Sequence, residues 1–216
     1  MRDTGQNKLF FGYYLVGAAF LAQFVAIGIY SYVLGSFMMP MIQELGWTRA
    51  EFSLTRTIGQ LVMAFVGVFV GVRVDRFGGR PIMLWGATVL CMTLIAHSFI
   101  HSLLLWWLLN GVLLTVGCAM VGNLVVNVTL SKWFVVNRGK AIAFAAMGIS
   151  FGGVVMTPLA TVLIDELGWR AAWIWLGVGT AVILYPVALF MRRAPGDYGL
   201  NPDGLTDVQF STGAGA

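Results

Sequence analysis

The feature that most constrains this chain is the spacing of its charges. No Asp, Glu, Lys or Arg occurs in 10–43, 58–72, 81–131, 141–164 or 171–191. A helix crossing a hydrocarbon core of about 30 Å needs about 20 predominantly apolar residues. The interval 81–131 is long enough for two such helices, joined where His97, Ser98, His101 and Ser102 interrupt it. The expectation is therefore an all-α membrane protein with six transmembrane helices, at about 11–42, 51–74, 81–100, 103–131, 138–164 and 169–191. Residues 1–10 form a short N-terminal segment, 11–191 the bundle, and 192–216 a tail or the start of a central loop. Composition agrees: 59% hydrophobic and 10% charged residues, with a mean hydropathy of +0.85, lie far from the mixture of a soluble domain.

The opening "MRDTGQNKLFFGYY" has the basic flank of a signal peptide. Its apolar run is too long for one and lacks a small-residue cleavage site, so it is read as a retained first span. Orientation follows from Lys and Arg. With the N-terminus inside, the cytoplasmic segments hold Arg2, Lys8, Arg73, Arg76, Arg80, Lys132, Arg138, Lys140, Arg192 and Arg193, against Arg49 and Arg170 outside. That asymmetry places both termini in the cytoplasm by the positive-inside rule, and the expected location is the plasma (bacterial inner) membrane. The basic residues sit at helix ends without a continuous stripe, so no nucleic-acid partner is expected.

Two repetitions stand out. The tetrapeptide ELGW occurs at 44–47 and 166–169. Both copies fall at the outer exit of a helix, where glycine takes the left-handed conformation that ends it and tryptophan sits at headgroup level. The pattern D-x-x-G-x-R occurs in "DRFGGR" (75–80) and "DELGWR" (165–170), the first between spans two and three inside, the second between spans five and six outside. Equivalent hairpins on opposite sides make spans one to three and four to six inverted repeats, the building plan of many secondary transporters.

These residues carry a resemblance. "GVRVDRFGGR" (71–80) resembles the G-x-x-x-D-R-x-G-R-R signature of the Major Facilitator Superfamily, in the place that family has it. "GWTRAEFSLTRTIGQ" is similar to the opening of the second span in monocarboxylate and oxalate/formate transporter relatives, and "NRGKAIAFAAMGISFGGVVMTPLATVLIDELGWRAAW" to their fifth and sixth spans. "RRAPGDYGLNPDG" looks like the start of the central loop that leads there to six more helices. The resemblance implies the N-terminal half of a carrier. It would move a small solute, with an organic anion such as a monocarboxylate as the expected class, by alternating access against a second six-helix half. That half would be encoded downstream or supplied by a homodimer mate; a coupled proton, symport and antiport all stay open. It also implies a gating motif of Gly71, Asp75, Arg76, Gly78 and Arg80. In it Asp75 meets a helix N-terminus of the other half, which the macrodipole favours, and Arg76 and Arg80 pair with acidic groups or phosphates. Gly79 stands where the signature has the first of two basic residues. The lysine that monocarboxylate relatives commonly carry in span one is missing, since no lysine lies between Lys8 and Lys132.

Candidate solute-binding residues come from intramembrane polarity. Arg56 and Gln60 lie one turn apart on span two. A charge at the bilayer centre costs about 2.5–3.5 kcal/mol on insertion scales, so Arg56 either meets an anion or snorkels to the outer interface. Asn123 and Asn127 share a face of span four, as do Gln23 and Tyr30 on span one; the resemblance places spans one and four around the central cavity. Asn110 lies on another face of span four and is read as a bond between helices. G-x-x-x-G at Gly67/Gly71 and Gly148/Gly152 permits close helix approach, and Pro158 and Pro186 mark expected bends.

Other chemistries find less support. "GISFG" (148–152) fits G-x-S-x-G, and rhomboid-type intramembrane proteases also have six spans, but Ser150 would need a histidine from a later helix. His97 and His101 have i, i+4 spacing without an accompanying carboxylate or thiol, and are read as interface histidines rather than metal ligands. Cys91 and Cys118 lie too deep for a secreted disulfide framework. No cofactor is expected and no enzyme. A six-helix auxiliary or channel-like subunit is the remaining alternative.

Overall fold

The computed structural model describes residues 10–204 of the 216; Arg2, Lys8, most of the N-terminal segment and the end of the tail lie outside the described residues. Among the described residues, five long apolar helical segments are present: α1 Phe11–Leu45, α2 Arg49–Phe77, α3 Gly79–Phe99, α4 Leu103–Trp133 and Arg138–Phe190. The last is two spans. A straight helix of 53 residues would be about 80 Å long, yet Trp133 before it donates its Nε1–H to the Arg192 carbonyl after it at 3.3 Å. The reversal occurs at Gly168, whose φ of 80° and ψ of 157° are the only non-helical dihedrals in the run. Spans α5 (138–167) and α6 (169–190) thus meet at one residue rather than at a loop.

The expected six helices are therefore present among the described residues, most of them longer, and most connections shorter, than the sequence suggests. α1 reaches Leu45 and stops because Gly46 takes a left-handed φ of 70° and returns its N–H to the Ile42 carbonyl. α2 starts at a capping box: Thr48 Oγ1 accepts the Glu51 N–H at 3.2 Å, and Glu51 Oε2 accepts the Thr48 N–H at 2.8 Å. Gly78 alone separates α2 from α3. Helical geometry runs through Pro158 and Pro186, so neither ends its helix. A break that the sequence did not mark falls in α4, at Gly122, with φ −81° and ψ −148°.

Two wider π-helical segments were not legible in the sequence, Ile29–Val33 in α1 and Trp107–Leu114 in α4. Such segments free backbone groups from the regular ladder and recur at functional sites.

The bundle has two distinct ends. At one, called the basic end here, Phe11, Gly78, Trp133 and Arg192 come together. At the other, Glu44, Ile100, Trp169 and Arg170 meet. The hairpins at Gly78 and Gly168 thus lie at opposite ends, and their glycines share one backbone conformation, φ/ψ of 82°/170° and 80°/157°, as an inverted repeat requires.

α1 packs along the α5–α6 hairpin, and α3 against the same hairpin and α4. Of the two G-x-x-x-G motifs, the pair on α5 makes the closest approach. A side chain on Gly152 would lie 2.7 Å from the Phe24 carbonyl oxygen and 2.9 Å from the Gly28 Cα, and one on Gly148 would overlap the Phe20 carbonyl. Gly67 and Gly71 meet only Leu124 methyls, at 3.8 and 3.9 Å.

An aromatic cluster closes the end opposite the basic one. Trp106 stacks on Phe52 at 4.7 Å and Trp173 on Phe37 at 3.8 Å between ring centroids, with His97 between the two tryptophans. α2 is the least covered span: Leu61, Phe65, Val68, Phe69 and Val72 form an exposed apolar face.

Candidate functional site

Two consecutive residues of α2 reach the two π segments. Thr55 donates its hydroxyl to Asn110 Oδ1 in α4 at 3.2 Å. Arg56 donates from Nη1 to the Tyr30 carbonyl in α1 at 2.6 Å, with its Cζ 5.0 Å from the Tyr30 ring centroid. Gly59, one turn on, fits between them: a side chain there would lie 2.8 Å from Thr115 Oγ1 and 3.0 Å from the Tyr30 hydroxyl. α1, α2 and α4 are thereby pinned at one level.

Arg56 is half-buried and has no carboxylate within ion-pair range among the described residues. It borders a cleft of about 240 Å³ with Ser31, Leu34, Gly35, Met38, Phe52 and Ser53. A guanidinium has five N–H donors in a fixed fork. The Tyr30 carbonyl takes one, so the remainder are available to an anion. Gln60 is exposed on the same helix.

Asn123 and Asn127 sit nearer the basic end. Asn123 starts the helix after the Gly122 break, is exposed, and accepts the Asn127 amide at 3.1 Å. Asn127 Oδ1 is buried without a partner among the described residues. A second cleft, of about 280 Å³, joins Asn123 to Ile27, Met63, Gly67 and Cys118. Met63 and Gly67 are two to three helical turns beyond Arg56, about 10–16 Å along α2 at 1.5 Å per residue. Arg56 and Asn123 therefore border separate clefts, the first between α1 and α2 and the second where α2 meets α1 and α4.

Gln23 differs from its expected place. It is wholly buried, and neither its amide nitrogen nor its oxygen has a partner among the described residues. It does not line an open cleft here.

Asn110 bonds between helices as expected, but at the centre of a chain the sequence did not reveal. His97 Nδ1 lies 2.5 Å from the Thr93 carbonyl, and Asn110 Nδ2 lies 3.3 Å from His97 Nε2. A carbonyl only accepts, so the proton sits on Nδ1 and Nε2 accepts from Asn110. His97 is fully buried, not an interface residue, because Trp106 and Trp173 enclose its ring. With both nitrogens engaged it serves neither a metal nor Ser150, and Ser150 has no histidine partner among the described residues. His101 is exposed. No group of three potential metal-ligating side chains occurs among the described residues.

At the basic end, Asp75 forms an ion pair with Lys132 at 3.1 Å, linking α2 to α4. Its carboxylate is thus engaged within the chain. Arg76 and Arg80 are exposed and Gly71 half-buried. Gly78 is packed against Arg193, whose Cβ would lie 2.9 Å from a side chain at that glycine.

The ELGW copies prove to be unlike in conformation and joined in space. Gly46 is left-handed with ψ 24°, whereas Gly168 has ψ 157°. Glu44 of the first copy accepts both the Trp169 indole N–H of the second and the Arg170 guanidinium. Trp169 is buried against the bundle at that end.

Comparison with known proteins is consistent with this architecture. The family model of the Major Facilitator Superfamily matches residues 19–212. The chain is 29% identical over 220 aligned residues to the oxalate:formate antiporter of Oxalobacter formigenes, covering 98% of this chain and 50% of that protein. It is 30% identical over 145 residues to monocarboxylate transporter 4 of Mus musculus, covering 65% of this chain and 30% of that one. Among solved structures, an inward-facing, unoccupied bacterial homologue of the human lysosomal transporter Spinster superposes with a TM-score of 0.75 at 19% identity, over 95% of this chain and 47% of that chain. The chain spans half or less of the length of these relatives. With the family model covering most of the sequence over an all-helical, membrane-spanning bundle, this integral membrane chain belongs to the Major Facilitator Superfamily.

Proposed function

We propose that the chain is the N-terminal half of a secondary-active carrier for a small organic anion, working by alternating access against a second six-helix half. The observation that carries the reading is Arg56: a half-buried cation in a membrane span, bonded to a backbone carbonyl and without a carboxylate partner among the described residues. A cation at such depth is favoured by an anionic ligand. The relatives named for oxalate, formate and monocarboxylates support a carboxylate as that ligand. Tyr30 lies against the guanidinium and Gln60 one turn further along α2, while Asn123, bonded to Asn127, borders the neighbouring cleft.

The exposed apolar face of α2 is assigned to the second half, because the chain covers only about half of its relatives' length. Asp75, Arg76 and Arg80 then form the gate at that seam, with Lys132 holding Asp75 while the gate is open. The basic end faces the cytoplasm in this reading, by the distribution of Lys and Arg.

The test is uptake of labelled oxalate, formate and lactate into proteoliposomes containing the native polypeptide. Arg56→Gln is expected to reduce uptake of the transported anion at least tenfold with membrane insertion unchanged. Unchanged uptake would assign Arg56 to the interface instead.

A further inference from the structure

After α6 the chain does not leave the bundle. Residues 192–204 run back across the basic end and are fastened at four places. The Arg192 carbonyl accepts the Trp133 indole N–H at 3.3 Å. The Arg192 guanidinium lies 4.0 Å from the Phe11 ring centroid and 4.3 Å from that of Tyr198, within cation–π range. The stem of Arg193 packs over Gly78 in the α2–α3 hairpin.

The fourth fastening is the most specific. Asp203 accepts three consecutive backbone N–H groups, from Val135 at 2.7 Å, Val136 at 2.8 Å and Asn137 at 3.1 Å, and the Asn137 side-chain amide at 3.3 Å. Successive amides turned to one side form an anion-binding concavity. This one sits just ahead of Arg138, the first residue of α5, where the helix dipole adds positive potential. Asp203 itself holds a left-handed φ of 57°, the only positive φ at a non-glycine residue among those described. Aspartate is among the few residues that take this region as single residues, and here it turns the carboxylate onto the three amides. Burial raises the Asp203 carboxyl, but the amide bonds outweigh it and hold the group below its ordinary value.

We propose that Val135, Val136 and Asn137 form a carboxylate-binding nest whose ligand is the chain's own Asp203, making residues 192–204 a latch that ties the α4–α5 loop to α1 and the α2–α3 hairpin. The latch joins the ends of the spans that must move together if the bundle rocks as one body. It stands independently of which solute is carried.

Hydrogen–deuterium exchange on the full chain in lipid nanodiscs tests it. Asp203→Gly removes the carboxylate while keeping the backbone conformation accessible, since glycine takes positive φ freely. The amides of residues 135–137 are expected to exchange at least tenfold faster in this variant, with protection in α3 and α6 unchanged. Equal exchange at 135–137 in wild type and variant overturns the latch. Should Asp203→Gly also lose protection in α3, Asp203→Asn decides, because it keeps one acceptor oxygen and tolerates the left-handed backbone. Faster exchange confined to 135–137 and the strap then supports the latch, and no change refutes it.

Discussion

Arg56 and Tyr30, 26 residues apart, are joined twice over: the guanidinium donates to the Tyr30 carbonyl and lies over the Tyr30 ring. The carbonyl belongs to the π segment Ile29–Val33. The conformation of α1 and the orientation of the cation on α2 are therefore one structural unit. Arg56→Lys retains the charge but has no planar fork with which to meet both the carbonyl and an anion. Losing one charge-assisted hydrogen bond is worth about 1.5 kcal/mol, so the half-saturating anion concentration should rise roughly tenfold. Saturation curves in proteoliposomes check this; an unchanged curve would mean that the guanidinium geometry is irrelevant to binding.

The two G-x-x-x-G motifs should differ in mutational cost. Gly148 and Gly152 touch the α1 backbone, whereas Gly67 has only a distant methyl nearby. Gly148→Ala is expected to destabilise by about 1–3 kcal/mol, the usual range for overpacking, and Gly67→Ala by no more than about 0.5 kcal/mol. Unfolding titrations in detergent measure both. Equal costs would contradict the packing described for α1 and α5.

The ELGW glycines should also separate. Gly46 is in the left-handed region that asparagine tolerates, so Gly46→Asn should cost about 0.5 kcal/mol or less. Gly168 occupies a region of positive φ with extended ψ that is essentially confined to glycine. Gly168→Asn should cost about 1–3 kcal/mol, as should Gly78→Asn at its inverted counterpart. Thermal unfolding of the three variants decides; an asparagine tolerated at 168 would refute the stated geometry.

Glu44 and Arg170 clamp α1 to α6 at the end opposite the basic one. The Glu44 carboxylate also takes the Trp169 indole N–H. Charge reversal at either position should lower the unfolding temperature, and the exchanged pair Glu44→Arg with Arg170→Glu should recover part of the loss through the restored attraction. Additive losses in the double variant would show that the two side chains do not interact.

The sequence by itself determined what is local to the chain. Charge-free runs set the number of spans, the capping box of Thr48 and Glu51 and the glycines at 46, 78 and 168 set where they begin and end, and D-x-x-G-x-R disclosed two hairpins of equal geometry. It also singled out Arg56, because one charge in an apolar run is visible without a structure. What it did not determine is which side chains meet. These helices are apolar on nearly every side, so no polar face marks their rotation, in contrast to an amphipathic helix of a soluble protein. Only tertiary packing fixed that rotation. It put His97 between Trp106 and Trp173, sealed Gln23 in the interior, joined Glu44 to Arg170, and brought Asp203 to three amides on a loop more than sixty residues earlier. The partners of the π segments were hidden for the same reason, since Arg56 at the Tyr30 carbonyl and Thr55 at the Asn110 side chain both come from another span.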